Sequence, residues 1–249
     1  MRLASYSLQT FQRPALLREC LRHLQAQEIP EGWGVEVIVA APEGDPGIEI
    51  AKLWDMRPHP VKIYTSPGSA IAPQAATRLA NVSGEIVLQT GDDDLQEMGR
   101  LRKVIACWET MTVPRPIGFD LFHFVSVQHK AVAEWAGPSH RAAATYAMPR
   151  EWAEVAAKNI AGLDYRIHGD SQIARALGRE GHDMSDYEPI DCGMVATDHG
   201  KNVQGSRPWP RPGQRIKHGD FLLTGVGWDQ FLSTLPDMTR ESLERLCTV

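Results

Sequence analysis

Four short apolar runs, at residues 3–8, 35–41, 61–65 and 85–90, are each separated from the next by a stretch with helical character. This alternation constrains the fold more than any other feature of the chain. "ALLRECLRHLQAQ" follows Pro14, which suits a first helical turn, and places Leu16, Leu17, Cys20, Leu21 and Leu24 at helical spacing. "VEVIVAA" reads as a buried strand, "IEIAKLWDM" (48–56) as a short helix and "VKIYT" as the third strand. "APQAATRLANVSG" reads as a small-residue helix closed by Gly84, and "EIVLQT" as the fourth strand. Repeated strand–helix units predict an α/β fold with a mostly parallel sheet flanked by helices. Ligands of such sheets bind beyond the carboxyl ends of the strands. The turns "QTFQRP", "AAPEGDP" and "TGDDD" all follow strands, so one edge gathers Arg13, Glu43, Asp45 and Asp92, Asp93 and Asp94.

The 249 residues suffice for one large α/β domain, and 43% hydrophobic with 23% charged residues is ordinary for a soluble globular chain. A formal net charge of -5 argues against a generic basic nucleic-acid coat, while leaving room for a local basic patch. Cys20, Cys107, Cys192 and Cys247 lie far apart with no C-x-x-C pair, which favours a reducing, cytoplasmic setting over a disulfide framework or zinc site. No apolar run has the length of a signal peptide or a membrane span.

The second half is more mixed. Helices are expected at 95–111, 149–159 and 169–181, and strands at 120–127 and 141–148. Beyond Val195 the chain is rich in Gly, Pro, Arg and Lys and reads as an ordered loop or tail. No clean boundary divides the chain. The expectation is a single domain, with a nucleotide half at 1–110, an acceptor half at 111–205 and a C-terminal extension at 206–249.

Four places carry chemistry. Adjacent carboxylates repel by roughly 4 kcal/mol per pair at ~4 Å and an effective dielectric near 20. The triplet Asp92–Asp94 therefore needs either a solvated turn or a divalent ion, which takes one or two protein carboxylates plus substrate phosphates. Asp170 stands in the first turn of a helix, either as a dipole-stabilised carboxylate or as a general base. In "ATDHGKN", His199 can complete a metal site and Lys201 can meet a phosphate, although a lone His is more often structural. From His199 to His218 there is no Asp or Glu, yet Lys201, Arg207, Arg211, Arg215 and Lys217 surround Trp209. Such a run suits a diphosphate, a nucleic-acid strand or plain solvent.

Taken together, "SLQTFQRPALLRECLRHLQAQ", "VEVIVAA", "SGEIVLQTGDDD", "HGDSQIARALGREG" and "DHGKN" resemble family-two glycosyltransferases of the GT-A fold, over most of residues 3–205. The resemblance implies a nucleotide-diphosphate sugar donor, Mn²⁺ or Mg²⁺, and inverting transfer of a hexose or pentose to an acceptor hydroxyl. It implies metal contacts at Asp92, Asp94 and His199, with Asp170 as catalytic base. Donor contacts are implied at Thr10, Arg13, Glu43, Arg78, Asp92, Asp93 and Lys201. A second register puts Gly91 in the first acidic slot and leaves Asp93 and Asp94 as the contacts. The pattern departs at "AAPEGDP", where Ala41 and Pro42 stand in place of carboxylates and Glu43 or Asp45 would substitute. Arg78 is a remnant of the Arg-Asn pair often seen before the fourth strand. The acceptor stays open among glycan, small molecule and nucleic acid with hydroxylated bases. A nucleotidyltransferase and a non-catalytic nucleotide-binding module are the rivals; the first would carry a Gly-rich first turn, which "QTFQRP" lacks.

Overall fold

The computed structural model describes residues 1–54, 59–119, 121–136, 146–161, 163, 169–198, 209–218 and 221–248. In chain order the elements begin β1 (Arg2–Gln9), α1 (Pro14–Gln25), β2 (Trp33–Pro42), α2 (Pro46–Leu53), β3 (Val61–Ser66), α3 (Ile71–Ala80) and β4 (Ile86–Gly91). They continue with β5 (Asp94–Gln96), α4 (Arg100–Thr110), β6 (Ile117–Gly118), β7 (Leu121–Ser126), β8 (Ala131–Ala136), β9 (Ala147–Pro149), α5 (Arg150–Ile160) and α6 (Gly169–Arg179). Last come β10 (Glu188–Pro189), β11 (Met194–Asp198), β12 (Arg215–His218), β13 (Phe221–Val226), α7 (Trp228–Thr234) and α8 (Asp237–Leu246).

These strands form two sheets. The larger runs β10-β6-β9-β4-β1-β2-β3, and its β4-β1-β2-β3 portion is parallel. Every residue of β2 is buried, as a strand covered on both faces requires. The pleat sends Val37, Val39, Ile86 and Leu88 towards α1, α2 and α4, and Ile38 and Val87 towards α3, α5 and α6. Gly84 enters β4 against the backbone of β1, where a Cβ would come within 2.7 Å of Leu3 O and Ser5 N. The smaller sheet runs β12-β13-β8-β7-β11-β5. One of its clusters packs Phe119, Phe122, Phe124 and Trp135, and another packs Val125 and Val195 with Phe231 and Leu243 of α7 and α8.

Several boundaries differ from those read in the sequence. The helix expected at 95–111 begins only at Arg100, because Asp94–Gln96 pairs with β11 first. The helix expected at 48–56 starts at Pro46, where Asp45 caps it through Gly47 N at 2.7 Å; residues 55–58 lie outside the described residues. Of the strand expected at 141–148, the structure describes only its end, at Ala147–Pro149. Residues read as a C-terminal extension are built into the body. β13 pairs with β8, and α8 packs on α1. β13 is short and finds its partner β8 far earlier in the chain, so no local pattern announces that pairing.

Arg100 is fully buried and donates to Gln89 O at 3.3 Å and Tyr146 O at 3.4 Å, with its guanidinium 5.4 Å from the Phe119 ring centroid. It joins β4 to the residue that precedes β9. The α1–α8 seam is polar at its centre. Glu19 takes both Arg245 and Ser242, and Ser242 Oγ lies 3.2 Å from His23 Nε2. His23 Nδ1 lies 2.9 Å from Gln96 O and is therefore its donor.

Burial pushes the His23 imidazole below its ordinary value of 6.5, against the raising effect of Gln96 O and Glu19. The unfolded chain therefore takes a proton on His23 at a higher pH than the native chain does. This histidine's contribution is complete above about 6.5 and is lost as pH falls from there towards the lower native value. The urea midpoint should fall between about pH 7 and pH 5.5, and fall less in His23→Gln; equal falls in the two proteins would contradict this account.

Candidate active site at the carboxyl edge of the parallel strands

Three loops meet where β1, β2 and β4 end. Thr10 continues β1 by donating its N–H to Ala40 O at 3.1 Å. Gln12 then adopts a left-handed φ of 54°, and its N–H donates to Asp45 Oδ2 at 2.6 Å. Asp45 is buried, and its Oδ1 caps α2. One carboxylate thus fastens the loop after β1 to the loop after β2.

The acidic triplet is the crossing from one sheet to the other. Gly91 ends β4, and Asp94 begins β5. The three carboxylates go three ways. Asp92 is 0% exposed; its Oδ2 accepts from Thr10 Oγ1 at 2.6 Å, and its Oδ1 is ion-paired with Arg13 Nη2 at 2.6 Å. Asp93 has a side chain 22% exposed, with Oδ2 accepting from Arg13 Nη1 at 2.9 Å. Its carbonyl accepts both the N–H and the Oγ1 of Thr197 on β11, at 2.8 and 2.9 Å. Asp94 is buried and turns back, its Oδ2 accepting from Gly91 N at 2.6 Å.

Burial alone would lower the pKa of Arg13, but Asp92, Asp93 and Asp94 outweigh it and raise the value, so the guanidinium stays charged. The nearby Cys20 thiol is pushed well above its ordinary value, first by burial and then by the charges of Asp94 and Asp92. It is an inert donor to Gly91 O at 3.3 Å.

Among the described residues, no group of three His, Cys, Asp or Glu side chains forms a metal cage. A Mg²⁺ or Mn²⁺ ion that shares its shell with phosphates asks for less. A Cβ at Gly91 would meet Asp93 Oδ1 at 2.5 Å and Asp94 Oδ2 at 2.9 Å, so two carboxylate oxygens converge where residue 91 has no side chain. That donor set fits a hard divalent cation. Asp92, enclosed by Thr10 and Arg13, is placed to orient Arg13 rather than to face outwards.

The remaining predicted residues are dispersed. Arg78 is buried beneath the edge, donating to Ser7 O, Ser7 Oγ and Gln89 Oε1 at 2.9, 2.8 and 3.1 Å. Glu43 is exposed in the turn after β2. Asp170 is the second residue of α6, with its side chain outside the described residues; His199 and Lys201 also lie outside them. Two further residues at this edge are not among those the sequence singles out. Phe11 presents a ring 40% exposed between Thr10 and Gln12. Its place in "QTFQRP" was a signal, since an aromatic in a polar strand-end loop has no core to join. Thr197 carried none, because it acts on a backbone carbonyl across the sheet junction.

A Rossmann-like parallel sheet, joined through an acidic crossing to a second sheet, is the GT-A fold of glycosyltransferases. The chain is similar to the crystal structure of S. aureus TarS 1-349 in complex with UDP-GlcNAc, at a TM-score of 0.54 and 14% identity over 84% of this chain and 62% of that one. The same fragment in complex with UDP aligns at 0.52 and 14% identity, over 80% and 61%. The mannosyltransferase PcManGT from Pyrobaculum calidifontis, in complex with GDP-Man and Mn²⁺, aligns at 0.50 and 16% identity, over 81% and 58%. At such identities the likeness is one of fold, and the chain spans about three fifths of the length of these neighbours. No protein-family model matches the chain, and no curated protein does.

Replacing Arg13 by Met should strand the buried Asp92 carboxylate and lower stability by about 3–5 kcal/mol in urea unfolding. Asp92→Asn keeps the Thr10 partner and should cost clearly less; the reverse order would refute the clamp.

Proposed function

We propose that the protein is a metal-dependent, inverting glycosyltransferase that moves a sugar from a nucleotide-diphosphate donor to an acceptor hydroxyl. The observation that carries this reading is the convergence of Asp93 and Asp94 oxygens over Gly91, at the carboxyl edge of a GT-A fold. The donors bound by the structural neighbours, UDP-GlcNAc and GDP-Man, support it. So does the Mn²⁺ bound to PcManGT.

The roles follow the second register of the motif. Asp93 and Asp94 hold Mn²⁺ or Mg²⁺, which when bound supplies Lewis-acid stabilisation of the charge on the leaving diphosphate. Asp92 does not touch the ion; it holds Arg13 and Thr10 in place, and Arg13 in turn fixes Asp93. Thr10, Arg13 and Arg78 thus serve the donor by shaping the edge it lies on. Phe11 offers a face to the nucleobase, since base–aromatic stacking is worth about 1–3 kcal/mol. Glu43, in the exposed turn, is placed for the ribose. His199 completes the metal shell and Lys201 meets the diphosphate. Asp170 takes the acceptor proton as the hydroxyl attacks the anomeric carbon from the face opposite the leaving group. Residues 1–110 form the donor half of a single domain, and 111–205 the acceptor half.

A panel of nucleotide-sugars with Mn²⁺, read by nucleoside diphosphate release with a chelator control, tests the reading; absence of metal-dependent release across UDP- and GDP-sugars would overturn it. Asp93→Ala should abolish Mn²⁺-dependent donor binding by calorimetry. Asp170→Asn should retain donor binding and lose transfer by about 10²–10⁴-fold, the usual worth of a general base. Normal turnover in the Asp170 variant would remove it from the mechanism.

A further inference from the structure

A cavity of about 700 Å³ opens between the start of α1, the β7–β8 turn and the end of α8. Its size falls within the range of small-molecule sites. The wall is part apolar, with Leu16, Val127 and Leu246, and part polar, with Gln12, Arg13 and Lys130. Among the described residues that line it the cations are Arg13, whose guanidinium is already paired with Asp92 and Asp93, and Lys130. Lys130 is exposed, stands at a left-handed φ of 46°, and makes no ion pair among the described residues. Glu244 and Lys130 both act on the Cys247 thiol, but only Lys130 lines the cavity.

Arg13 ties this cavity to the acidic crossing. The same side chain that lines the wall donates to Asp93 Oδ2 at 2.9 Å. A molecule in the cavity therefore lies one side chain away from the carboxylate assigned to the donor. We infer, resting on the glycosyl-transfer reading above, that this cavity receives the acceptor, and that the acceptor is a small hydroxylated molecule bearing a phosphate. Lys130 meets the phosphate, the apolar wall covers the carbon skeleton, and a hydroxyl at the Arg13 end faces the donor. Lys130, the cation of the described wall that is not engaged by the acidic triplet, sets the charge preference. A concave site of this size selects a small molecule over a duplex.

Cys247 supplies a reporter, because it lines the cavity while Cys107 lies elsewhere on α4. The full chain is alkylated with iodoacetamide at constant ionic strength, without nucleotide or metal, and each cysteine is followed by peptide mapping. Glucose 6-phosphate at five times its dissociation constant should slow the reaction of Cys247 about sixfold by mass action and leave Cys107 unchanged. Glucose at the same concentration should leave both unchanged. In Lys130→Glu, an exposed-site change that should keep the thermal midpoint, the protection of Cys247 should disappear. Equal protection by glucose and its phosphate, no protection by either, or full protection in Lys130→Glu would each overturn the assignment. Protection by a duplex oligonucleotide but not by glucose 6-phosphate would overturn it in favour of a nucleic-acid acceptor. Failure of the transferase reading would appear instead in Mn²⁺-dependent donor binding, which this assay does not involve.

Discussion

The guanidinium of Arg13 is the interaction on which the site depends. Three consecutive carboxylates repel one another, and the chain separates them by giving each a different partner. Arg13 spans Asp92 and Asp93, Thr10 takes the far side of Asp92, and the Gly91 amide takes Asp94. With Asp92 fully out of water, the bridge is not a surface ion pair of negligible worth. Breaking a buried pair by removing one partner is the costly case. The same bond orients the one carboxylate of the three that keeps an exposed face.

The triplet is also where the two sheets join, which makes its position a property of the whole fold. β4 hands the chain to β5 across two residues, and β11 holds that crossing by its backbone and by Thr197. β11 is parallel to β7, whose hairpin partner β8 carries β13. α8 reaches the same region from outside through Ser242, His23 and Gln96 O. A shift in any of these supports would be felt at Asp93.

The parallel core was legible because its signals are local. Continuous apolar strands, a Pro-started helix with a clean apolar face, and acidic turns after strands all lie within short windows, and α1 buries Leu16, Leu17, Cys20, Leu21 and Leu24 as the spacing predicts. The second sheet was not legible to the same degree. Beyond the β7–β8 and β12–β13 hairpins its strands pair across long separations, as in Ala196 opposite Asp94, and no local pattern announces those pairings. Within the site, the position of the triplet could be read but the direction of each side chain could not. The directions of Asp92 and Asp93 are decided by Thr10 and Arg13, which lie far earlier in the chain and whose meeting with the triplet depends on β1 and β4 being neighbours. The bare space at Gly91, which the sequence showed only as a missing acid, is where two carboxylates converge.

Asp45 has a bearing on how such a protein can vary. Its two oxygens hold the left-handed Gln12 amide and the first turn of α2, so neither loop has a conformation of its own. Grafting a foreign segment into the first loop would leave a buried carboxylate with half its partners, and grafting into the second would release Gln12 from a backbone geometry that non-glycine residues seldom keep. On the glycosyl-transfer proposal, lineages that diverge in donor choice would exchange the two loops as a pair, and a library built for altered specificity would do better to recombine them together than to randomise either one.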